Sequence, residues 1–169
     1  MGPAILKAHF EMMAGYNAWA NERVFEAIEP LPVEDFRREL QVAYGSLHKT
    51  LNHIYVSDMI WMARFRGQAN PPWAFDHIPH FRLEDLKARR TALDRDILGF
   101  VLALDETSLM TDINYLTVLQ PENVSEPLAP ALAHFFNHQT HHRGQCHAML
   151  TRLTGDAPEL DLSSFQRGA

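Results

Sequence analysis

"SLHKTLNHIYVSDMIWMARF", Ser46 to Phe65, is the stretch that decides the fold. Wound into a helix, it is apolar nearly all the way round. Such a helix has no face to give to solvent, so other helices must enclose it. Its limits are visible in the sequence. The helix is predicted to start near Tyr44 to Ser46 and to run to Phe65. Gly67 follows its end, and "NPPW" (Asn70 to Trp73) prevents it from resuming. The remainder of the chain must supply the enclosing elements.

Three further helices are predicted. The first runs from Ala4 to Ile28, with Ile5, Phe10, Met13, Trp19, Val24 and Ile28 at apolar positions, and "EPLP" (Glu29 to Pro32) stops it. Residues 67–82 form a long connection rich in proline, histidine and aromatic side chains. The next helix covers Leu83 to Leu104, with Leu86, Leu93, Ile97, Val101 and Leu104 at its apolar positions. "INYLTV" (Ile113 to Val118) has the composition of a strand, and "PEN" (Pro121 to Asn123) turns it back toward Val124 as a small hairpin. Pro127 and Pro130 suit the first turn of a last helix, which reaches Leu153 with Gly155 just beyond. The expected fold class is all-α. It is a four-helix bundle with a long crossover connection and a small hairpin-like insert before the last helix, forming one domain over residues 1–169.

Composition narrows the function. A length of 169 residues, 46% of them apolar and 21% charged, suits one soluble domain with a real core. A net charge of -6 argues against nucleic acid as the main partner, because phosphate binding needs a basic surface. The single cysteine, Cys146, forms no disulfide framework and fits a reducing compartment. No apolar run is long enough for a bilayer, and the N-terminus lacks a signal-peptide layout. A cytoplasmic protein without a membrane partner is expected.

The last helix carries "HFFNHQTHHRGQCH", His134 to His147, with five of the ten histidines. At roughly 100° per residue, Leu128, Ala131, Leu132, Phe135, Phe136, Cys146, Met149, Leu150 and Leu153 gather on one side, which faces the core. His142 falls inside this arc and His138 at its edge. His134 and His141 lie further round, and His147 projects from another side. His138 and His142 are thus an inward i,i+4 pair, the minimal helical metal site. An arbitrary HxxxH pair is more often an ordinary structural one. Burying two adjacent imidazoles without a shared partner is costly, and this favours a metal here. A third ligand is needed. His53 sits at mid-depth in its helix and is the choice. His48 lies near the helix start and is expected to be exposed. His77 and His80 read as ordinary loop histidines. Asp58 looks buried but lies about 140° from His53, so it is expected to pair with an arginine or cap a neighbouring element rather than share the ion. Cys146 reads as a core residue, not as a fourth ligand.

Three segments carry a family likeness: "YNAWANERVFEAI" (Tyr16 to Ile28), "GSLHKTLNHIYVSDMIWMARFRG" (Gly45 to Gly67) and "LAHFFNHQTHHRGQCHAML" (Leu132 to Leu150). Together with the ending "PELDLSSF" (Pro158 to Phe165), they resemble the DinB/YfiT family of metalloenzymes over essentially the whole chain. The resemblance implies a four-helix bundle of unusual connectivity, often dimeric, with a divalent metal held by three helical side chains. These are His53 of NHI, His138 as first histidine of NHxxHH, and His142 before Arg-Gly-Gln. Some relatives have Glu at the middle position; His138 makes this a neutral three-histidine site. Zinc and nickel have both been associated with the family.

Characterised relatives include transferases and isomerases that use mycothiol, bacillithiol or glutathione. The resemblance therefore implies a metal-dependent enzyme of the thiol-dependent S-transferase or isomerase type, acting on a small electrophile with a low-molecular-weight thiol as cosubstrate. The thiol chemistry is physically sound, because a divalent ion with an open position lowers a thiol's pKa. Tyr16, Arg143 and Gln145 are candidates for orienting substrate. Two other readings use the same three histidines. One is a hydrolase working through activated water. The other is a stress-induced metal- or ligand-binding protein without turnover. A homodimer is expected in each case.

Overall fold

The protein is described by a computed structural model over residues 3–119 and 121–168. It is mostly helical, with one small sheet. In chain order the elements are α1 (Pro3–Ile28), α2 (Val33–Arg37), α3 (Leu47–Phe65), α4 (Leu83–Ala103), β1 (Asp112–Leu116), β2 (Asn123–Pro127), α5 (Leu128–Thr154) and α6 (Leu162–Gln166). A 3-10 turn at Ser108–Met110 precedes β1.

The enclosure of the Ser46–Phe65 stretch is borne out. Every residue of α3 except Lys49 and Met59 is buried. Ser46 caps the helix, its hydroxyl accepting from the Lys49 amide at 3.2 Å. The main helix contacts pair α3 with α5 and α4, and α1 with the same two helices. α1 and α3, successive among the long helices, therefore face each other across the core. Residues 67–82 run back along α3, with His80 reaching His48 and Asn52 near its start. α4 therefore runs parallel to α3, with Arg90 at Asp58 and Asp96 at Arg66.

The sheet departs from a strict all-α class. β1 and β2 pair antiparallel, with Asp112 opposite Pro127 and Leu116 opposite Asn123. The strand ends at Leu116 rather than Val118. Pro127 closes β2 and flanks α5, whereas Pro130 alone lies in the first turn. The turn is held by Thr117, whose amide donates to the Glu122 carbonyl and whose hydroxyl accepts from the Glu122 amide, both at 3.0 Å. Arg64 ties the hairpin to α3. Its guanidinium lies 4.7 Å from the Trp61 ring centre and 4.3 Å from that of Tyr115, and it donates to the Leu116 carbonyl at 3.4 Å.

Two short helices went unrecognised in the sequence. In α2, Phe36 is buried and meets the His48 ring edge-on at 5.2 Å. This overturns the expectation that His48 is exposed: α2 covers it, and its Nε2 pairs with the His80 carbonyl at 2.9 Å. In α6, Phe165 packs on Tyr16 and Trp19 of α1.

A buried polar network links the four long helices. Asp58 on α3 accepts from Arg90 on α4 at 2.5 Å and from Gln139 on α5 at 2.8 Å. Arg90 also pairs with Asp94 at 2.9 Å. Asp94 accepts from Asn17 at 2.9 Å and from Asn21 at 3.0 Å, and both asparagines accept from Arg143. The expected arginine partner of Asp58 is thus Arg90. Two carboxylates and two guanidiniums balance, as buried charges must. Burial still pushes the Asp58 carboxyl up, to about 6.

Candidate metal centre

α3 and α5 pack together, and their facing turns bring three imidazoles to one place. One ring nitrogen from each of His53, His138 and His142 lies within 4.8 Å of the other two. Ring centres are 5.1 Å apart for His53 and His138, 4.5 Å for His53 and His142, and 4.4 Å for His138 and His142. His53 and His142 are buried, and His138 is half-buried. The remaining histidines of the cluster diverge. His134 and His141 are exposed, while His147 lines a surface cleft with Tyr16, Thr140 and Arg143. His77 stacks on Trp73, and His80 is bound to Asn52.

The hydrogen bonds decide which nitrogens are free. His53 Nδ1 stands 2.8 Å from the Phe75 carbonyl. A carbonyl only accepts, so Nδ1 carries the proton and Nε2 is left with its lone pair. His53 Nε2 faces His138 Nε2 at 3.2 Å. His142 Nδ1 meets Gln145 Oε1 at 2.9 Å, which leaves the other nitrogen of that ring bare. Nitrogens bound at about 2.0–2.1 Å to a tetrahedral ion stand roughly 3.3 Å apart, close to the observed His53–His138 spacing. Imidazoles oriented by carbonyl and amide partners are the usual support of such a ligand set. The three residues fit a divalent ion.

Electrostatics agree. Burial holds His53 down to about 4, its largest cause, with His142 adding to the effect. Burial, then His142 and His53, hold His138 down to about 3. His142 is lowered as well, again mainly by burial. All three are neutral near pH 7, the form that ligates.

The local sequence explains the support. Asn52 is fully buried beside His53, and it grips the returning chain on both sides. Its amide donates to the His80 carbonyl at 3.0 Å and its oxygen accepts from the His80 amide at 3.1 Å. This pins residues 67–82 over α3 and delivers the Phe75 carbonyl to His53. On the other side, the chain turns at Gly45, whose φ is 81°. That left-handed conformation is what favours glycine here; the nearest group to a Cβ would be the carboxylate of exposed Glu39, which can swing away. The turn presents Tyr44, which stacks on the His53 ring at 3.9 Å and meets His142 edge-on at 5.4 Å. Burial and then the charge of Asp76 raise the Tyr44 phenol's pKa.

Of the three residues expected to orient substrate, the fold brings Gln145 to the histidines. Tyr16 and Arg143 lie elsewhere. The Tyr16 hydroxyl donates to the Leu160 carbonyl at 2.7 Å, and the Arg143 guanidinium lies 5.2 Å from the Tyr16 ring, inside the polar network. Cys146 is fully buried, and burial pushes its thiol up to about 12. It does not belong to the three-histidine group. Tyr44, Asn52, Ser57 and Phe75 were not singled out from the sequence. The "NH" pair of Asn52 and His53 was the signal available for Asn52; a backbone carbonyl such as that of Phe75 leaves none.

The chain is similar to known proteins. A curated relative, Protein DinB of Bacillus subtilis (strain 168), is 29% identical over 150 residues, covering 80% of each chain. The crystal structure of a DinB-like protein from Bacillus cereus superposes with a TM-score of 0.62 at 17% identity, covering 83% of this chain and 89% of that one, and so shares the fold. The model of the DinB family matches residues 6–169, and the chain belongs to that family.

Proposed function

We propose that the protein is a divalent-metal enzyme of the thiol-dependent transferase or isomerase type, with His53, His138 and His142 as ligands. The reading takes the four long helices as one bundle that presents this site, and the active protein as a cytoplasmic homodimer. The observation that carries it is the convergence of three neutral imidazoles, two of which, His53 and His142, have their outer nitrogens already committed to Phe75 and Gln145. When bound, zinc or nickel would lower the pKa of a thiol reaching it and present the thiolate to a small electrophile. The chain's own residues then bind and orient. Phe75 and Gln145 hold His53 and His142 with their inner nitrogens inward. Tyr44 covers one face of His53. Hydrolysis by activated water is the second reading. It ranks lower because the cluster is histidine alone, without a carboxylate to serve as base.

The test has two stages. Protein purified without a His tag is analysed for metal before and after loading with zinc or nickel. Loaded protein is then assayed for conjugation of bacillithiol, mycothiol and glutathione with a panel of electrophiles, and for ester, amide and phosphoester cleavage. About one equivalent of metal and metal-dependent thiol consumption are expected. Less than about a tenth of an equivalent after loading would sink the metal site. Stoichiometric metal with hydrolysis alone would move the protein to the second reading. Metal with no turnover on either panel would make it a binding protein.

A further inference from the structure

Ser57 lies one turn beyond His53 on the same side of α3. The residue is 1% exposed, and among the described residues its hydroxyl has a single hydrogen-bond partner, His53 Nε2, at 3.5 Å. That length is at the outer limit of a hydrogen bond. Three threonines of α5 return their hydroxyls to the carbonyl one turn back. Thr140 does so to Phe136 at 3.0 Å, Thr151 to His147 at 3.0 Å and Thr154 to Leu150 at 2.9 Å. Ser57 does not. Its hydroxyl is placed instead beside the nitrogen of His53 that faces His138, where an ion would take the lone pair and leave the hydroxyl proton without an acceptor. A buried donor in that position is costly unless something else accepts.

We propose that Ser57 is a ligand-binding residue of this centre: its hydroxyl donates a hydrogen bond to the sulfur, or other anionic atom, of a small molecule entering where the three histidine nitrogens meet. This rests on the metal reading above. A hydrogen bond to an ionised acceptor is the stronger kind, so Ser57 favours the thiolate over the thiol, the proton leaving to solvent. Ser57 thereby favours an anionic ligand at a site whose protein ligands are all neutral.

Cobalt(II)-loaded wild-type and Ser57→Ala proteins, titrated at one pH with 2-mercaptoethanol and separately with azide, test this by the ligand-to-metal charge-transfer band. Ser57→Ala is expected to take up cobalt normally and to bind both probes about 5- to 10-fold more weakly. Ser57→Gly, which also lacks the hydroxyl, is the companion should Ser57→Ala not fold, with the same weakening expected. Equal affinities in wild type and variant would overturn the proposal. So would loss of cobalt from the variants, which would make Ser57 a prop for His53, or a cobalt-loaded wild type that binds neither probe. Wild-type protein that takes up no cobalt would remove the metal reading and this proposal together. Binding of azide but not of the thiol would remove the thiol reading alone, with the azide comparison still deciding the role of Ser57.

Discussion

Gln145 holds the Nδ1 of His142 at 2.9 Å, and its amide nitrogen reaches the exposed His141 at 3.1 Å. Removing that support leaves a buried imidazole free to turn. Gln145→Ala is expected to weaken metal binding by about 10- to 100-fold in a chelator competition, whereas His147→Ala, which faces a surface cleft, leaves it unchanged. Cys146 gives a second check at this scale. With its thiol buried and raised to about 12, it is expected to resist iodoacetamide at pH 7.5 and to react on unfolding. Rapid labelling of the native protein would contradict the burial. Helical geometry was enough to turn His138 and His142 inward and to pick the mid-depth His53. It was not enough for Tyr44 or Phe75, which reach the site from outside the helices. A wheel ranks residues within one element and is silent about what a loop lays over it. Gln145 was a candidate for orienting substrate, but its role as the partner of His142 needed coordinates.

The hairpin and the helix ends show the same division among elements. The strand composition of Ile113 to Val118 and the glycine stops were legible because each is local chemistry. Gly155, with φ of 81°, ends α5 in the left-handed conformation, its amide bonding the Thr151 carbonyl at 2.9 Å. Gly155→Ala is expected to lose about 1 kcal/mol, read from the urea midpoint. The five-residue α2 and α6 carry too few turns for a periodic signal, and they form because Phe36 and Phe165 find aromatic partners on other helices. Tertiary contact also fixes the hairpin. Arg64→Ala removes a guanidinium lying over the Trp61 and Tyr115 rings, and about 2 kcal/mol of stability should go with it. An unchanged midpoint would show that the hairpin packs without this clamp.

For the molecule as a whole, the depressed histidines link stability to pH. In the unfolded chain, imidazoles take up protons as pH falls through about 6.5. In the fold, His53 does so near 4 and His138 near 3. The unfolded state therefore binds more protons between those values, and the metal-free protein loses stability as pH falls from about 7 toward 4. Asp58, raised from 3.8 to about 6, and Asp94, also raised by burial, pull the other way, against His53 and His138 together with His142, His48 and His80, which burial lowers too. A lower denaturation midpoint at pH 5 than at pH 7 is expected for metal-free protein, with a smaller drop in His138→Asn. A bound metal should oppose the loss until protons displace it.

The polar network at the centre has a consequence for which arrangement of helices the chain accepts. Asp58, Arg90, Asp94, Gln139 and Arg143, with Asn17 and Asn21, bond to one another across all four long helices. A helix sliding along a neighbour by one turn would move about 5.4 Å, and its apolar side chains would find similar surroundings there. Its charges would not. The slip would strand a carboxylate or a guanidinium among leucines, at a cost no methyl group imposes. Oily surfaces alone permit several alignments of these helices; the network admits one. That alignment sets His53 opposite His138 and His142.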